Sequence, residues 1–224
     1  MAKIKYSALV QSMRNKLNGS VASRNRYGDF WRNKTSPVNR QTTHQTAVRA
    51  LFAANSSAWR GLTASQRQAW IEAAPNFPFT DVFGDQLTLS GNALYLKLNQ
   101  NLQNAGEDPI SEPPAPVAIP VLAGFKLTFA DGVYSISWDN TVTGDFKLMI
   151  YAAPNVSTGR QYVKNLFKFC GVVDTLTSPQ EISTLLTDRL GSLQAGTALW
   201  VKALLVSTDS GQQGLPSQAS IVVV

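Results

Sequence analysis

A chain of 224 residues with 44% hydrophobic and 15% charged side chains is long enough to bury an ordinary core, in one domain or more, and too apolar to be disordered throughout. Its single cysteine, Cys170, and single histidine, His44, exclude an intrachain disulfide and a His-cluster metal site, and no run approaches the roughly 18 to 20 apolar residues of a membrane span or, over Met1 to Val10, the core of a secretory signal. The net charge of +6 is sharply divided, +11 over residues 1–71 and −5 over the rest, which points to an acidic partner for the N-terminal part or to head-to-tail contact between copies.

The first predicted element spans Gly19 to Lys34 (GSVASRNRYGDFWRNK). Asn25-Arg26-Tyr27-Gly28 reads as a turn between flanks that carry aromatic and β-branched residues, which predicts a β-hairpin. A two-stranded ribbon is too small to stand alone in water, so it is expected to pack on something else, such as another subunit. Val48, Leu51 and Phe52 then recur at helical spacing and predict a helix over residues 42–58. Thr63 with Gln66 three residues on is a capping-box pattern, opening a helix over residues 63–74 that Pro75 ends. Trp59, Leu62 and Trp70 are expected to form an aromatic clamp between these two helices. A third helix, over residues 90–104, presents Ala93, Leu94, Leu98 and Leu102 on one stripe and stops before Gly106.

Residues 105–120 are proline-rich, and Pro113, Pro114 and Pro116 favour an extended polyproline conformation. The segment reads as a stiff linker that holds two halves apart at a defined reach. Beyond it the pattern is all-β. Phe125 to Ala130 is a strand, Asp131-Gly132 a turn, and Val133 to Trp138 a second strand with Tyr134, Ile136 and Trp138 on one face and Val133, Ser135 and Ser137 on the other. Phe146 to Tyr151 and Tyr162 to Val173 follow as strands. Ser178, Pro179 and Glu181 combine an N-cap, a first-turn proline and an N3 glutamate, predicting a short helix to about Leu190. Leu199 to Ser207 and Ser220 to Val224 close the unit as strands. The expected fold class is an α+β N-terminal region over residues 1–104, a hairpin plus short helices, followed by an all-β unit over residues 121–224.

Leu193 to Ala203 (LQAGTALWVKA) resembles the E–F region of fibronectin type III domains, where a Leu and a Gly-Thr precede an alternating strand. Trp138 sits where that family carries its strand-B tryptophan, and Ser207 to Ser217 resembles its polar F–G loop. Leu199 fills the family's tyrosine-corner position, and a helical insertion falls near the usual strand E. The resemblance covers roughly residues 121–224 and implies a fibronectin type III or immunoglobulin-like β-sandwich.

The N-terminal half is similar to a recurrent module of virion-associated phage proteins, notably from phages of Bacteroidetes and crAss-like phages. The residues that carry the likeness are Gly19-Ser20-Val21, Ser23 to Gly28, Arg32, Pro37-Val38-Asn39, Thr42 with Gln45, Val48-Arg49, Phe52, Trp59 to Thr63, Gln66-Arg67 and Ala69-Trp70. This implies a structural component of a phage particle, of neck, tail-ring or decoration type, found in the virion and made in the host cytoplasm.

Catalytic parts are missing from the sequence. His44 has no nucleophile elbow to serve, the close carboxylate pairs Glu107/Asp108 and Asp81/Asp85 lie in turn-rich loops, and neither a phosphate loop nor zinc-ligand spacing occurs. Cys170, in the apolar run Leu166 to Val173, reads as a small buried hydrophobe. A non-enzymatic chain without a cofactor is therefore expected. Arg24, Arg26, Tyr27, Trp31, Arg32 and Lys34 interleave cations with aromatics, and with Arg49, Trp59, Arg60 and Trp70 they are the candidate partner-binding residues. Three partner classes fit: other virion proteins and further copies of this chain in an oligomer or ring, nucleic acid, or a host-surface glycan met by loops at Thr141–Gly144, Asn155–Arg160 and Ser207–Gly214. No membrane partner is expected.

Overall fold

Four short strands open the chain: β1 (Ala2–Lys3), β2 (Asn15–Leu17), β3 (Ser20–Asn25) and β4 (Gly28–Asn33). The structure, a computed structural model, describes residues 2–36, 38–39, 41–81, 83–155, 159–160 and 162–223. Pro37, Arg40, the middle of the loop from Asn155 to Arg160, and Val224 of the last predicted strand lie outside the described residues. The predicted hairpin is β3–β4, with Asn25 paired to Gly28 across an Arg26-Tyr27 turn. Gly28 sits at φ +109°, a backbone conformation that L side chains rarely adopt. The strands β1 and β2 flank the hairpin in the order β1-β4-β3-β2.

The sheet's support comes from its own chain. A second small hairpin, β5 (Phe79–Thr80) and β6 (Gln86–Leu87), meets it: Tyr27 stands edge-on to Phe79 with ring centroids 5.9 Å apart, Lys3 pairs with Asp81, and Lys5 pairs with Asp85 at 2.9 Å. A partner subunit is therefore not needed to hold the ribbon. Two of the N-terminal cations, moreover, are neutralised by carboxylates beyond residue 71.

Helix α1 (Thr43–Gly61) starts at a Thr42/Gln45 capping box and α2 (Ala64–Ala73) at the predicted Thr63/Gln66 box, with Pro75 in the 3-10 turn that follows. Helix α3 (Gly91–Asn104) buries Leu94, Leu98 and Leu102 as the spacing requires, together with Tyr95 and Asn99. The predicted clamp has Tyr95 at its centre, 5.3 Å from Trp59 and 5.2 Å from Trp70 between ring centroids. Gly91 permits this approach, because a Cβ there would stand 2.8 Å from Ile71. The stripe expected on α1 is not a core stripe. Val48 and Leu51 are half-buried, Phe52 is 52% exposed, and the buried residue is Asn55, whose Nδ2 donates to Gln103 Oε1 at 2.8 Å. Helix α1 meets α3 at Asn55 and Trp59 in its C-terminal half, and residues 43–47 of its first turns are exposed.

The proline-rich segment is no spacer. Asn99, fully buried on α3, accepts from the Ile110 N–H at 2.6 Å and donates to the Ile110 carbonyl at 3.1 Å, and the Trp70 indole N–H donates to Ser111 O at 2.8 Å. Extended backbone carries unsatisfied polar groups, and here the helices satisfy those of Ile110 and the Ser111 carbonyl. The C-terminus of α3 then meets the β-rich half directly. Lys147 donates to Ala105 O at 3.0 Å, at the negative end of the helix, and pairs with Glu107 at 2.7 Å and Asp174 at 3.1 Å. Asn101 donates to Gly211 O at 2.8 Å.

The C-terminal half contains β7 (Lys126–Ala130), β8 (Val133–Ser137), β9 (Phe146–Asn155), β10 (Lys168–Val173), β11 (Gln180–Glu181), α4 (Ser183–Leu190), β12 (Ala198–Ser207) and β13 (Ser217–Val222). All pairings are antiparallel, in one sheet ordered β10-β9-β12-β13 and another ordered β11-β8-β7. The two share a core in which Leu127, Tyr134, Ile136 and Trp138 meet Leu148, Ile150, Leu199, Val201 and Leu205. Asp131 and Gly132 both take positive φ, as a tight hairpin turn requires. The other face of the larger sheet places Met149 and Val206 against Ala105. The chain as a whole is mixed α+β, helices with several antiparallel sheets.

Two sequence expectations change here. Residues 162–167 are not strand and turn at 164–166, and the strand begins only at Lys168. Ser178 is not a helix cap: its Oγ accepts from the Trp138 N–H at 3.0 Å and donates to the Trp138 carbonyl at 2.9 Å, so Gln180 and Glu181 pair with β8 and the helix starts later, at Ser183.

Candidate partner-binding surface

Side chains alternate across a strand, so the register of β3 and β4 fixes where each arginine points. Arg24 is paired with Asp29 and shares a face with Ala22 and Trp31; Arg32 is paired with Val21 and shares the opposite face with Phe30. The ribbon thus divides its cations between two faces. They meet again at its edge. Strand β2 pairs only with Ser20 to Ala22, so β3 is open from Ser23 to Asn25, and there Arg14, Arg24 and Arg32 line an open cleft of about 490 Å³ with no carboxylate among its lining residues. Arg26, at the hairpin tip, and Lys34 are exposed. Asp29 Oδ1 and Trp31 Nε1 are buried without a hydrogen-bond partner among the described residues, each at a cost of about 1–3 kcal/mol.

The other candidate residues separate into two groups. Arg49, bonded to Asn39 Oδ1 at 2.9 Å, and Arg60, in the last turn of α1, are exposed. Tyr27 is engaged with Phe79, and Trp59 is half-buried against Tyr95. Trp70 is fully buried with its indole N–H satisfied, so it is a core residue and unavailable to a partner. An indole at helical spacing near other aromatics fits core and interface equally well, and the sequence alone did not separate them. From residue 2 to residue 69, only Ala22 and Asn55 are buried among the described residues, while Leu9 and Val38 are 95% and 81% exposed.

The three loops considered for a glycan do not converge. Phe146 pairs with Ser207 and Asn155 with Ala198, so the first and third loops share one end of the sheet and Asn155 lies at the other. The two that meet enclose, with residues 117–120, a cleft of about 550 Å³ in which Ile119, Pro120 and Phe146 are flanked by Asp145 and Asp209. It is firmly tied. Thr208 donates to Asp145 O from its N–H at 3.0 Å and its hydroxyl at 3.1 Å, and the Val117 N–H donates to Gln212 Oε1 at 2.6 Å. Both carboxylates are exposed, and neither forms an ion pair among the described residues. Sequence reasoning missed this cleft because its acids are 64 positions apart and its apolar floor belongs to the proline-rich segment.

Elsewhere the titratable groups are held by packing. Burial pushes the half-buried Cys170 thiol up from its ordinary value. Burial, and then the charge of Lys164, pull Lys202 down, although its ammonium lies 4.6 Å from the Tyr151 ring centroid and 4.9 Å from that of Phe167. The bond from Lys3 holds Asp81 below the usual carboxylate range. His44 is exposed at the start of α1. Among the described residues no three His, Cys, Asp or Glu side chains are grouped to hold a metal ion, and no helix is long and apolar enough to cross a membrane.

No protein-family model matches the chain, and no curated protein matches it in sequence. Among solved structures, a pectate lyase, Pel3 from Pectobacterium carotovorum, aligns over 43% of this chain and 26% of its own length, at 13% identity and a TM-score of 0.30. The chain thus spans about a quarter of that protein's length, at a similarity too low to carry fold or activity.

Proposed function

We propose that this chain is a non-enzymatic structural protein that assembles into a larger particle through its basic N-terminal half, with the β-rich half as its body. The observation that carries this is the contrast in burial. Among the described residues from 2 to 69 two side chains are buried, large apolar ones are exposed and no arginine forms an ion pair, whereas the C-terminal half has a complete core. A surface rich in uncovered apolar groups and arginine is what protein interfaces use. The similarity of residues 19–74 to virion-associated phage modules supports a place in a phage particle, of neck, tail-ring or decoration type, with other virion proteins and further copies as partners.

The strand orders β11-β8-β7 and β10-β9-β12-β13 support reading residues 121–224 as a fibronectin type III-like sandwich, in which β11 takes the place of strand E and α4 follows it as the insertion. Trp138, buried just past the end of β8, and Leu199, buried in β12, fit the same reading. A nucleic-acid role draws less support, because the N-terminal half also exposes large apolar side chains such as Leu9 and Val38, which suit a protein partner better than a phosphate backbone. The test is co-sedimentation of the full-length chain with particles purified from a phage-infected culture. Incorporation that is lost on Arg24→Glu with Arg32→Glu is expected; a chain that never enters particles overturns the proposal.

A further inference from the structure

We infer that copies of this chain bind each other head to tail, the arginine-lined edge of β3 in one copy receiving the acidic cleft at Asp145 and Asp209 in the next. The inference deepens the assembly reading by naming a partner, a second copy, and rests on that reading. It starts from two clefts of opposite sign on different parts of one molecule. The basic one, with Arg14, Arg24 and Arg32, has no carboxylate among its lining residues. The acidic one, with Asp145 and Asp209 around Ile119, Pro120 and Phe146, has no cation among its own. Neither charge set is neutralised by an ion pair within the chain among the described residues.

The geometry suits such a contact. Arg24 and Arg32 flank an open strand edge from opposite faces, and Arg14 stands on the chain that leads into β2, so a carboxylate-bearing loop placed on that edge meets guanidinium groups on more than one side. The acidic cleft is held by bonds among residues 117–120, 143–146 and 207–212. It therefore loses little freedom on binding. Guanidinium stems cover apolar surface while their heads pair with acids, which matches a floor of Ile119, Pro120 and Phe146 between carboxylates. Because the two surfaces differ, the contact is heterologous. Repeated in one sense it closes into a ring or runs on as a filament, and it stops at two copies only where each copy's edge meets the other's cleft at the same time.

Charge reversal separates this from any other assembly contact. Arg24→Glu with Arg32→Glu and, in a second protein, Asp145→Lys with Asp209→Lys are each expected to sediment as monomers under conditions in which the wild-type chain forms larger species. Mixed together, the two variants place a reversed edge against a reversed cleft and a native edge against a native cleft; carrying all four changes in one chain is expected to restore full assembly. All four side chains are exposed; the Asp145 and Asp209 changes are expected to leave the unfolding midpoint at the wild-type value, whereas Arg24→Glu stands opposite Asp29 and is expected to lower it slightly, so each variant's mass is read below its own midpoint. Restoration in the quadruple variant supports the inference. Three results overturn it: self-association unaffected by reversing Asp145 and Asp209, no recovery in the quadruple variant although it folds, or a wild-type chain that enters particles yet stays monomeric in solution and is still incorporated after the Asp reversals. In the third case the assembly reading stands with a different partner. A wild-type chain that neither self-associates nor enters particles removes both.

Discussion

Replacing Asn99 with alanine tests whether the proline-rich segment is fastened to the helices. Asn99 is fully buried and supplies both bonds that hold the Ile110 peptide, at 2.6 Å and 3.1 Å. Removing one partner of a buried hydrogen bond leaves the other group unsatisfied, at about 1–3 kcal/mol each. Ile110 is half-buried, so water compensates in part, and the two bonds together are expected to be worth about 2–4 kcal/mol. Urea unfolding of Asn99→Ala measures the loss. Asn92→Ala, at an exposed position of the same helix, serves as the control and should change stability by no more than about 0.5 kcal/mol. The variant should also become cleavable between Gly106 and Pro120 under native conditions. An Asn99→Ala protein as stable and protease-resistant as the control means that the segment is not held by α3.

Gly211→Ala places a Cβ 2.2 Å from the Leu98 carbonyl oxygen at a residue with φ +68°, so the α3 contact is expected to loosen and stability to fall by at least about 1–3 kcal/mol, seen as a lower thermal midpoint. Trp70→Ala should cost about 3–5 kcal/mol, against a smaller loss for Trp59→Ala, by the same denaturation assay. Cys170, with its thiol raised by burial, should react with a thiol reagent near pH 8 at least about tenfold more slowly in the folded than in the unfolded chain. Asp81 has a folded pKa lowered by Lys3. Its contribution is present above its ordinary value of 3.8 and lost as pH falls through the lower folded value, so contact between the N-terminal sheet and the β5–β6 hairpin should weaken in acid, followed by amide exchange of residues in β1 and β5.

Legibility in the sequence tracked the range of the interactions concerned. Thr63 with Gln66, the Asp131-Gly132 turn, and the alternation of Tyr134, Ile136 and Trp138 are local patterns, and each appears in the structure where its spacing placed it. Leu94, Leu98 and Leu102 were equally plain. Tyr95 and Asn99 beside them were not, because the aromatic hub and the polar clamp are defined by Trp59, Trp70 and Ile110 on other elements. Strands β1 and β2, of two and three residues, are too short to carry a period, and they exist through pairing with a hairpin. Ser178 carried a helix-cap pattern, but its hydroxyl is taken by Trp138, forty positions away. For the candidate surface, the arginines were readable as residues; their division between two faces and reunion at an open edge required the register. Only the fold brings Asp145 beside Asp209.

The most direct test of the account is the native mass of the full-length chain over a range of concentrations at low salt. Opposite charges on the N-terminal arginines and the acidic cleft predict species larger than the monomer that dissociate as salt is raised. A chain that remains a 24.3 kDa monomer at every concentration, and is absent from purified particles, contradicts the claim that its N-terminal half is an assembly surface.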